Sequence, residues 1–456
     1  MTAAAWAERE AAGARLGDRR RNAAWARILT ALLSSAGRSF SAALGQALRQ
    51  AASGLFGRPG LTVADLLAGH YQATAERCAG QSLVLVSQDS TCFNYTNLRR
   101  TSGLGRLADK SSSRGLWAHS ALALTVDGRP LGLLSLRFWS RGERRTKGQR
   151  RERPYAEKES YKWELALREV AAGLPRDTLA VVVSDRESDV FEYLRAPVPA
   201  GLYKLVRAAW PRRCQGLDQQ ARGAVTAAVR EAEERARVRV ALPAQHGRPQ
   251  RVATLAVRWE PLVLRSPRSW PAAAQDELAV AVVAVDEVDP PVGVKPLSWT
   301  LLTTWPVADA DEAVAVVDWY RRRWTVELAH RALKLDGYRV ERLQLRTAAA
   351  LQLALASYWV VTWRAMNLAL EARENPDLPA SERFGADELE VLSRLSGRPV
   401  TRLVEAVAEV AKLGGWAGYR SSPPPGTQVV QQGLLLLEPM VRYHRALREP
   451  PPGDEM

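Results

Sequence analysis

The chain contains 456 residues, of which 46% are hydrophobic and 25% are charged, a composition typical of a globular protein of about two to four domains. Its 64 lysines and arginines against 49 aspartates and glutamates give a formal net charge of +15, which favours a polyanionic partner, with nucleic acid first. GC-rich coding also enriches arginine and alanine, so charge alone leaves that partner open.

The sequence pattern excludes several classes of protein. Cys78, Cys92 and Cys214 are widely spaced and fit neither a disulfide framework nor a zinc site. The first 21 residues lack the apolar core of a signal peptide, and the longest uncharged apolar run, 351–363, is too short to span a bilayer. We therefore expect a cytoplasmic protein with no membrane partner.

Residues 1 to about 75 are predicted to form a small basic helical domain. It contains an arginine cluster at Arg19, Arg20 and Arg21 and two helical segments, ARILTALLSSAG and SFSAALGQALRQAASGLF, closed by the breaker GRPG. From Gln81 the pattern changes to strands: LVLVSQ, and then LWAHSALALTV and LGLLSLRFW as a hairpin around VDGRP. The basic run SRGERRTKGQRRERPYAEKES is expected to be an exposed loop.

The middle of the chain is predicted to be rich in strands. After a helix at YKWELALREVAAG, the run TLAVVVSD is typical of a buried parallel strand. Four alternating segments follow, so residues 200 to 305 should be mainly strands, and a strand-rich block between two helix-bearing parts suggests an inserted subdomain. These segments are ARVRVALPA, RVATLAVRWEPLVL, ELAVAVVAV and LSWTLLTTW. The remainder is predicted to be helical, apart from the loop SSPPPG.

The stretch YRRRWTVELAHRALK places one glutamate among cations on a predicted helix. At about 100° per residue, Tyr320, Arg323, Glu327 and Lys334 share one face. Apolar residues fill most of the remaining circumference and indicate a helix packed in a core, whose polar stripe lines a cleft. These apolar residues are Val326, Leu328, Ala332, Leu333 and Leu335. The alternative is a solvated amphipathic helix with an Arg323–Glu327 ion pair.

Two apolar runs lead into an aspartate, LVLVSQ into Asp89 and TLAVVVS into Asp185. Because ligands collect at the carboxyl ends of strands in such sheets, both side chains should meet at one edge. Together with Glu327 they offer three hard oxygen donors, which suit Mg²⁺ or Mn²⁺ better than zinc. The alternatives are that Asp185 caps the following helix and that Asp89 begins a turn.

The spacing of Tyr320, Arg323, Glu327 and Lys334 resembles the Tyr-Arg-Glu-Lys signature of the insertion-sequence-four family of bacterial DDE transposases, which includes the transposon-five enzyme. Further segments resemble that family in the same order along nearly the whole chain: SQDSTCFNYT, DKSSSRGLWAHSALAL, EKESYKW, SDRESDVFEYL, LSWTLLTTWPV and LGGWAGYR. The resemblance implies an α/β fold with a ribonuclease H-like catalytic core and a β-rich insertion, flanked by helical N- and C-terminal domains.

The resemblance also implies three domains. They are a helical DNA-binding domain at 1–75, a catalytic domain at 76–370 with the insertion at about 200–305, and a C-terminal dimerisation region at 371–456. In the N-terminal domain Ser53 and Gly54 replace the Tyr-Arg pair of relatives, so no end-recognition residue is transferred there.

By the same resemblance, Asp89, Asp185 and Glu327 form a catalytic triad that holds two Mg²⁺ or Mn²⁺ ions. Such a pair of ions promotes in-line displacement at phosphorus. Water would cut one strand at the transposon end, and the released 3′-hydroxyl would attack the opposite strand, with a hairpin expected, and later the target DNA. His330 matches a family histidine to which we assign no chemistry, and a partly buried helix histidine is expected.

The resemblance assigns the remaining site residues to DNA. Tyr320, Arg323 and Lys334 would bind phosphates near the cleaved bond, and Trp299 would stack on a flipped base. Arg207 would lie near the hairpin end. The alternatives are a tryptophan packed in a core and an exposed structural arginine. The implied partners are the double-stranded inverted repeats and target DNA, bound by a homodimer in the nucleoid of a bacterial cytoplasm.

Three functions follow from these predictions. An active cut-and-paste transposase is the first, supported by the intact triad. The second is a catalytically silent DNA-binding regulator of transposition, for which the altered N-terminal residues leave room. The third is a non-transposing nuclease of the same fold, which would cut DNA without joining ends.

Overall fold

A large mixed sheet with helices on both faces organises the chain. The computed structural model describes residues 3–33, 40–109, 111–142, 148, 153–242, 250–268, 270, 275–336, 338–419 and 421–448. The helices are α1 (Ala3–Ala11), α2 (Arg19–Leu33), α3 (Phe40–Phe56), α4 (Val63–Ala79), α5 (Lys162–Gly173), α6 (Phe191–Arg195), α7 (Val225–Glu231), α8 (Ala310–Arg322), α9 (Trp324–Arg331), α10 (Ala348–Glu374), α11 (Ala386–Ser396), α12 (Leu403–Leu413) and α13 (Thr427–Ala446).

The described strands form one twelve-stranded sheet with the order β2-β3-β1-β5-β6-β12-β11-β10-β7-β8, while β4 pairs with β3 and β9 with β10. They are β1 (Val84–Asn94), β2 (Gly105–Arg106), β3 (Arg114–Leu124), β4 (Pro130–Trp139), β5 (Ala180–Ser184), β6 (Leu202–Arg207), β7 (Arg213–Gln215), β8 (Ala221–Ala224), β9 (Ala236–Leu242), β10 (Arg251–Arg265), β11 (Glu277–Val288) and β12 (Ser298–Thr303). Strands β1, β5 and β6 are parallel, and the remaining pairs are antiparallel.

The N-terminal part is helical, as predicted from the sequence. The arginine cluster begins α2, and α3 contains a break at Gly45, where φ is 63°. Helix α4 begins at a capping box in which Thr62 and Asp65 satisfy each other's backbone N–H groups. The predicted domain end near residue 75 falls inside α4, which continues to Ala79.

The strands predicted at TLAVVVSD and between 200 and 305 are present, and the hairpin around VDGRP is formed by β3 and β4. The strand-rich block continues the central sheet, because β12 pairs with β6 alongside the parallel strands. Helix α7 interrupts it. Of the basic run 140–160, residues 143–147 and 149–152 lie outside the described residues, and the part from Tyr155 to Tyr161 forms two short 3₁₀ turns.

Helix α10 runs through the middle of the molecule and contains the apolar run 351–363. Its residues are buried on every side, which explains its uniformly apolar sequence. The predicted boundary between 370 and 371 falls inside this helix, which ends at Glu374. Within the described ranges, none of the helices combines the length and apolarity needed to cross a bilayer.

Two apolar cores lie on opposite faces of the sheet, and β1 contributes alternate residues to each. Leu85 and Phe93 pack on the side that includes α9 and α10, whereas Val84 and Val86 pack on the side of α5 and α6. Because side chains alternate along a strand, the odd-numbered positions of β1 face α9. The C-terminal helices enclose a third core with the end of α10.

Candidate functional site

Asp89 and Asp185 lie on neighbouring parallel strands at the same level. The last parallel pair of β1 and β5 joins Ser87 to Val183, so two residues further along each chain the two aspartates are level. Adjacent strands are about 4.8 Å apart. The predicted position of Asp89 at a strand end or turn is wrong, because β1 continues to Asn94 through its antiparallel pairing with β3. Asp89 instead lies two residues beyond the last parallel pair, inside the antiparallel part of β1.

Asp185 also performs the capping role that we predicted as its alternative. Its Oδ1 accepts a hydrogen bond of 2.9 Å from the backbone N–H of Glu187, at the start of a 3₁₀ turn over Arg186–Ser188. This bond fixes the aspartate at the carboxyl end of β5. Capping and a place beside Asp89 are therefore compatible.

The sequence predicted one continuous α-helix for the segment that carries Glu327, but the structure divides this segment into three elements. Helix α8 ends at Arg322, α9 begins at Trp324, and a π-helical turn follows over Ala332–Asp336. Leu328 was predicted to pack in the core but is 41% exposed. Of the other apolar positions, Val326, Ala332 and Leu333 are buried, and the side chain of Leu335 lies outside the described residues.

Three alternate residues of β1 face this helical segment. Ser87 Oγ donates a hydrogen bond of 2.9 Å to the carbonyl of Arg323, and Lys334 Nζ donates one of 2.6 Å to Thr91 Oγ1. Asp89 lies between Ser87 and Thr91 on the same face of the strand. Sequence analysis missed the two hydroxyl residues, although the alternation Ser87, Asp89, Thr91 was a readable signal.

The Arg323 guanidinium lies between two of the three carboxylates. Its Nη2 donates a hydrogen bond of 2.5 Å to Glu327 Oε1, and its Nη1 is 3.7 Å from Asp89 Oδ2. The Nε of Arg323 is buried and has no hydrogen-bond partner among the described residues. The predicted Arg323–Glu327 pair is therefore formed, but in a cleft rather than on a solvated helix face.

Burial and like charges disturb the protonation of this cluster. The pKa of Asp89 rises to about 7, first through burial and then through Asp185 and Glu327, while Arg323 and the Ser90 N–H oppose the rise. Burial also raises the pKa of Asp185. One arginine thus compensates the cluster incompletely, which is the situation that a bound cation relieves.

His330 borders the cluster and is buried, as expected. Its Nε2 lies 3.1 Å from Ser120 Oγ, and its Nδ1 is 3.9 Å from Asp89 Oδ2. Burial, followed by Lys334 and Arg323, lowers the pKa of His330 to about 3. A neutral imidazole therefore adds no positive charge beside Asp89.

The donor chemistry of this cluster fits a divalent cation. Carboxylate oxygens are the ligands that Mg²⁺ and Mn²⁺ prefer, and Asp185 and Glu327 add to the rise in the pKa of Asp89 that burial causes. In the described part of the chain, however, no three histidine, cysteine, aspartate or glutamate side chains stand together as a metal-binding group. Arg323 occupies the position of the counter-cation between Asp89 and Glu327.

The structure brings three of the predicted DNA-contact residues to the end of β12. The rings of Trp299 and Tyr320 form an edge-to-face pair with centroids 5.2 Å apart, and Tyr320 is buried while Trp299 is half-buried. Arg207, at the end of β6, donates a hydrogen bond of 3.3 Å to the carbonyl of Ser298 on β12. These contacts are compatible with the alternatives given above, in which Trp299 packs in a core and Arg207 is a structural arginine.

An exposed tryptophan three residues beyond Arg207 was missed. Trp210 is 63% exposed and borders a cavity of about 350 Å³. Among the described residues, the charged lining of that cavity is wholly basic: Arg212, Arg213, Arg265 and Arg268. The sequence AAWPRR, which places a tryptophan and two arginines in a loop, could have indicated this exposed basic and aromatic surface.

Comparison with known proteins gives two family matches. Residues 137–361 match the family described as the transposase DDE domain, a range that includes Asp185 and Glu327, and residues 3–59 match the family described as transposase DNA-binding. A solved relative is the piggyBac transposase in a synaptic complex with hairpin DNA, at 9% identity and a TM-score of 0.33 over 82% of this chain. This chain spans 55% of that protein's length. The two family matches place a transposase DDE domain and a transposase DNA-binding domain in this chain and support its being a transposase.

Proposed function

We propose that this protein is a cut-and-paste DNA transposase of the insertion-sequence-four type. The observation that carries the proposal is that Arg323 contacts both Asp89 and Glu327, while Asp185 follows the neighbouring parallel strand at the level of Asp89. The two matched transposase domains agree with this reading.

The strand order supports a ribonuclease H-like core. Strands β4-β3-β1-β5-β6 form a continuous portion of the sheet, with β3 antiparallel to both its neighbours and β1, β5 and β6 parallel. We expect this portion to be the catalytic core, with β7 to β12 as the β-rich insertion. The proposed domains otherwise keep the predicted order: helices for DNA binding, the core, and C-terminal helices for dimerisation.

Asp89, Asp185 and Glu327 would hold two Mg²⁺ or Mn²⁺ ions, which when bound activate the attacking oxygen and stabilise the leaving oxygen. The protein itself supplies the alignment. Ser87 and the Lys334–Thr91 bond hold the helical segment against β1, so Glu327 is kept close to Asp89.

The surrounding cations would bind the scissile DNA. The buried Nε of Arg323 is a donor that a phosphate oxygen can satisfy, and Lys334 lies on the same side of β1. Trp299 would stack on a base, while Arg207 and the exposed Trp210 extend this basic and aromatic surface along the strand edge. We propose double-stranded transposon ends and target DNA as partners, cut through a hairpin intermediate.

The decisive experiment compares wild type with Glu327→Ala on a DNA fragment carrying the inverted repeats that flank the gene. We expect Mg²⁺-dependent cutting at the repeat boundary by wild type, at least a thousandfold slower cutting by Glu327→Ala, and similar DNA binding by both. The matched control is Glu382→Ala, whose side chain is 59% exposed on a separate 3₁₀ turn. Cutting is measured on denaturing gels and binding by fluorescence anisotropy.

The outcomes separate the alternatives. Equal cutting by wild type and Glu327→Ala contradicts the role of Glu327. Tight binding without cutting by wild type favours a silent regulator, and cutting at random positions without joining favours a nuclease. Light scattering on end DNA tests the proposed homodimer, which a mass of one protomer per complex would contradict.

A further inference from the structure

A second basic cavity lies far along the chain from the acidic cluster, where the N-terminal helices meet the sheet and α10. Its volume is about 210 Å³, room for several water molecules at about 30 Å³ each. The lining of the cavity includes Trp6 of α1, Arg77 of α4, Arg129 of the β3–β4 turn, and Trp363 and Arg364 of α10. Four separate parts of the chain therefore contribute to one pocket.

Arg364 is the unusual member of this lining. The residue is only 6% exposed, and its guanidinium has no hydrogen bond or ion pair within the described residues. Its Nη2 in particular is a buried donor without an acceptor. The guanidinium stacks on Trp6 at 5.0 Å from the ring centroid. Burying a guanidinium donor without an acceptor is unfavourable, so this position favours an anionic ligand.

The neighbouring arginines, by contrast, have carboxylate partners. Arg77 pairs with Glu10 at 2.8 Å, and Arg129 pairs with Glu374 at 2.8 Å. The two other arginines of the lining, Arg9 and Arg383, pair with Glu76 and Glu371. Of the five arginines in the described lining, Arg364 is therefore the one without a carboxylate at ion-pair distance. Burial lowers the pKa of Arg364, and the more distant carboxylates of Glu388 and Glu438 offset only part of this effect.

We propose that this cavity binds an oxyanion of the phosphate class, with Arg364 as its principal counter-ion. A planar guanidinium presents two parallel N–H donors to two oxygens of such an anion. Arg77, stacked on Trp363 at 4.2 Å from the ring centroid, and Arg129 supply further positive charge from the cavity wall. The ligand is either a small phosphate compound or a phosphate of a DNA backbone. The inference does not depend on the proposed transposase activity.

The test uses inorganic phosphate as the probe, against chloride at equal ionic strength. Wild type, Arg364→Met and the control Arg394→Met are compared by isothermal titration calorimetry, since the Arg394 side chain is 69% exposed and outside the cavity lining. We expect wild type and Arg394→Met to bind phosphate alike, and Arg364→Met to bind at least tenfold more weakly. Equal phosphate binding by all three proteins would overturn the proposal.

A second variant and a DNA titration complete the test. Arg129→Gln removes one cation and leaves Glu374 without its partner, so we expect weaker binding from it even if Arg364→Met does not fold. If phosphate does not bind, but Arg364→Met or Arg129→Gln weakens binding to a short duplex relative to Arg394→Met, the anion is a backbone phosphate. Absence of both effects contradicts an oxyanion site.

Discussion

Arg323 connects the chemistry of the acidic cluster with its stability. The guanidinium contacts both Asp89 and Glu327, yet burial and the neighbouring carboxylates still raise the pKa of Asp89 to about 7. A protein selected for stability alone would gain by replacing such an aspartate with a neutral residue. A carboxyl group whose pKa is raised by burial and by neighbouring carboxylates is a common mark of functional sites.

The first prediction concerns Asp89→Asn in the presence of a chelator. A carboxylate whose folded pKa of about 7 exceeds its unfolded value of 3.8 binds its proton more tightly in the folded state, so stability falls as pH rises between these values. At pH 8 we expect Asp89→Asn to be more stable than wild type by about 2 to 4 kcal/mol, with the difference vanishing near pH 4.

Urea unfolding between pH 4 and pH 8.5 measures this difference, with Asp177→Asn in an exposed turn as the control. A variant no more stable than wild type at pH 8, or a difference that does not change with pH, would contradict the electrostatic account. Adding Mg²⁺ at pH 8 should stabilise wild type and leave Asp89→Asn almost unchanged, because the variant lacks one carboxylate donor.

Sequence reasoning predicted the three carboxylates as one group, and the structure brings two of them, Asp89 and Glu327, to Arg323. It misplaced Asp89 within its strand. Polar residues after LVLVSQ resembled a turn, whereas Ser87, Asp89 and Thr91 alternate along one face of β1. The alternation could have been recognised. The position of Arg323 between two carboxylates could not, because it depends on how a helix distant in sequence docks on the strand.

At the scale of elements, close approach of α12 and α13 depends on glycine. A Cβ added to Gly433 would lie 1.7 Å from the carbonyl oxygen of Val410, and one added to Gly414 would lie 1.9 Å from that of Val429. These oxygens belong to backbone and cannot rotate away. The two helices therefore pack with their backbones almost in contact.

We predict that Gly433→Ala lowers the free energy of unfolding by about 1 to 3 kcal/mol, although alanine favours helices intrinsically. The methyl group must push the two helices apart and open the C-terminal core. Thermal unfolding is the measurement, and Gly426→Ala, where an added Cβ meets nothing within 4 Å, is the control. If Gly433→Ala were as stable as the control, the close packing of α12 on α13 would be wrong.

The interruption between α8 and α9 shows where element prediction fails. The sequence RRRW contains neither glycine nor proline, so local propensity favours a continuous helix. Arg323 keeps helical backbone dihedrals, and its carbonyl accepts hydrogen bonds both from the backbone N–H of Val326 and from Ser87 of β1. The bond from Ser87 joins the helical segment to a strand more than two hundred residues earlier in the chain, and no local pattern encodes that contact.

At the scale of the whole molecule, the strand-rich block joins the core sheet rather than folding apart. Each strand was predictable from its alternation, but the pairing of Leu301 with Arg207 joins segments separated by almost a hundred residues. Strand periodicity specifies which face of a strand is buried, but it does not specify which other strand pairs with it in the sheet. The positions of the strands along the chain were therefore easier to predict than the order of the strands in the sheet.

A buried polar network joins the N-terminal helices to this sheet. His70 of α4 contacts Glu10 of α1 through Nδ1 at 2.5 Å, and its Nε2 accepts a hydrogen bond of 3.0 Å from the backbone N–H of Leu133 on β4. Arg77 donates to Glu10 and to the carbonyl of Leu131. The imidazole thus links two helices and a strand, and burial lowers its pKa so that it stays neutral.

The last prediction is that His70→Ala loosens this connection. Leu133 would lose the acceptor of a buried N–H, Glu10 would lose a donor, and a cavity would remain, so we expect a loss of about 2 to 5 kcal/mol. Hydrogen exchange should rise first in α1 and α4, while the parallel strands stay protected. Gln72→Ala, on the exposed face of the same helix, is the control and should change stability by less than about 0.5 kcal/mol. Uniform loss of protection across helices and sheet would instead show that the N-terminal helices and the core unfold as one unit.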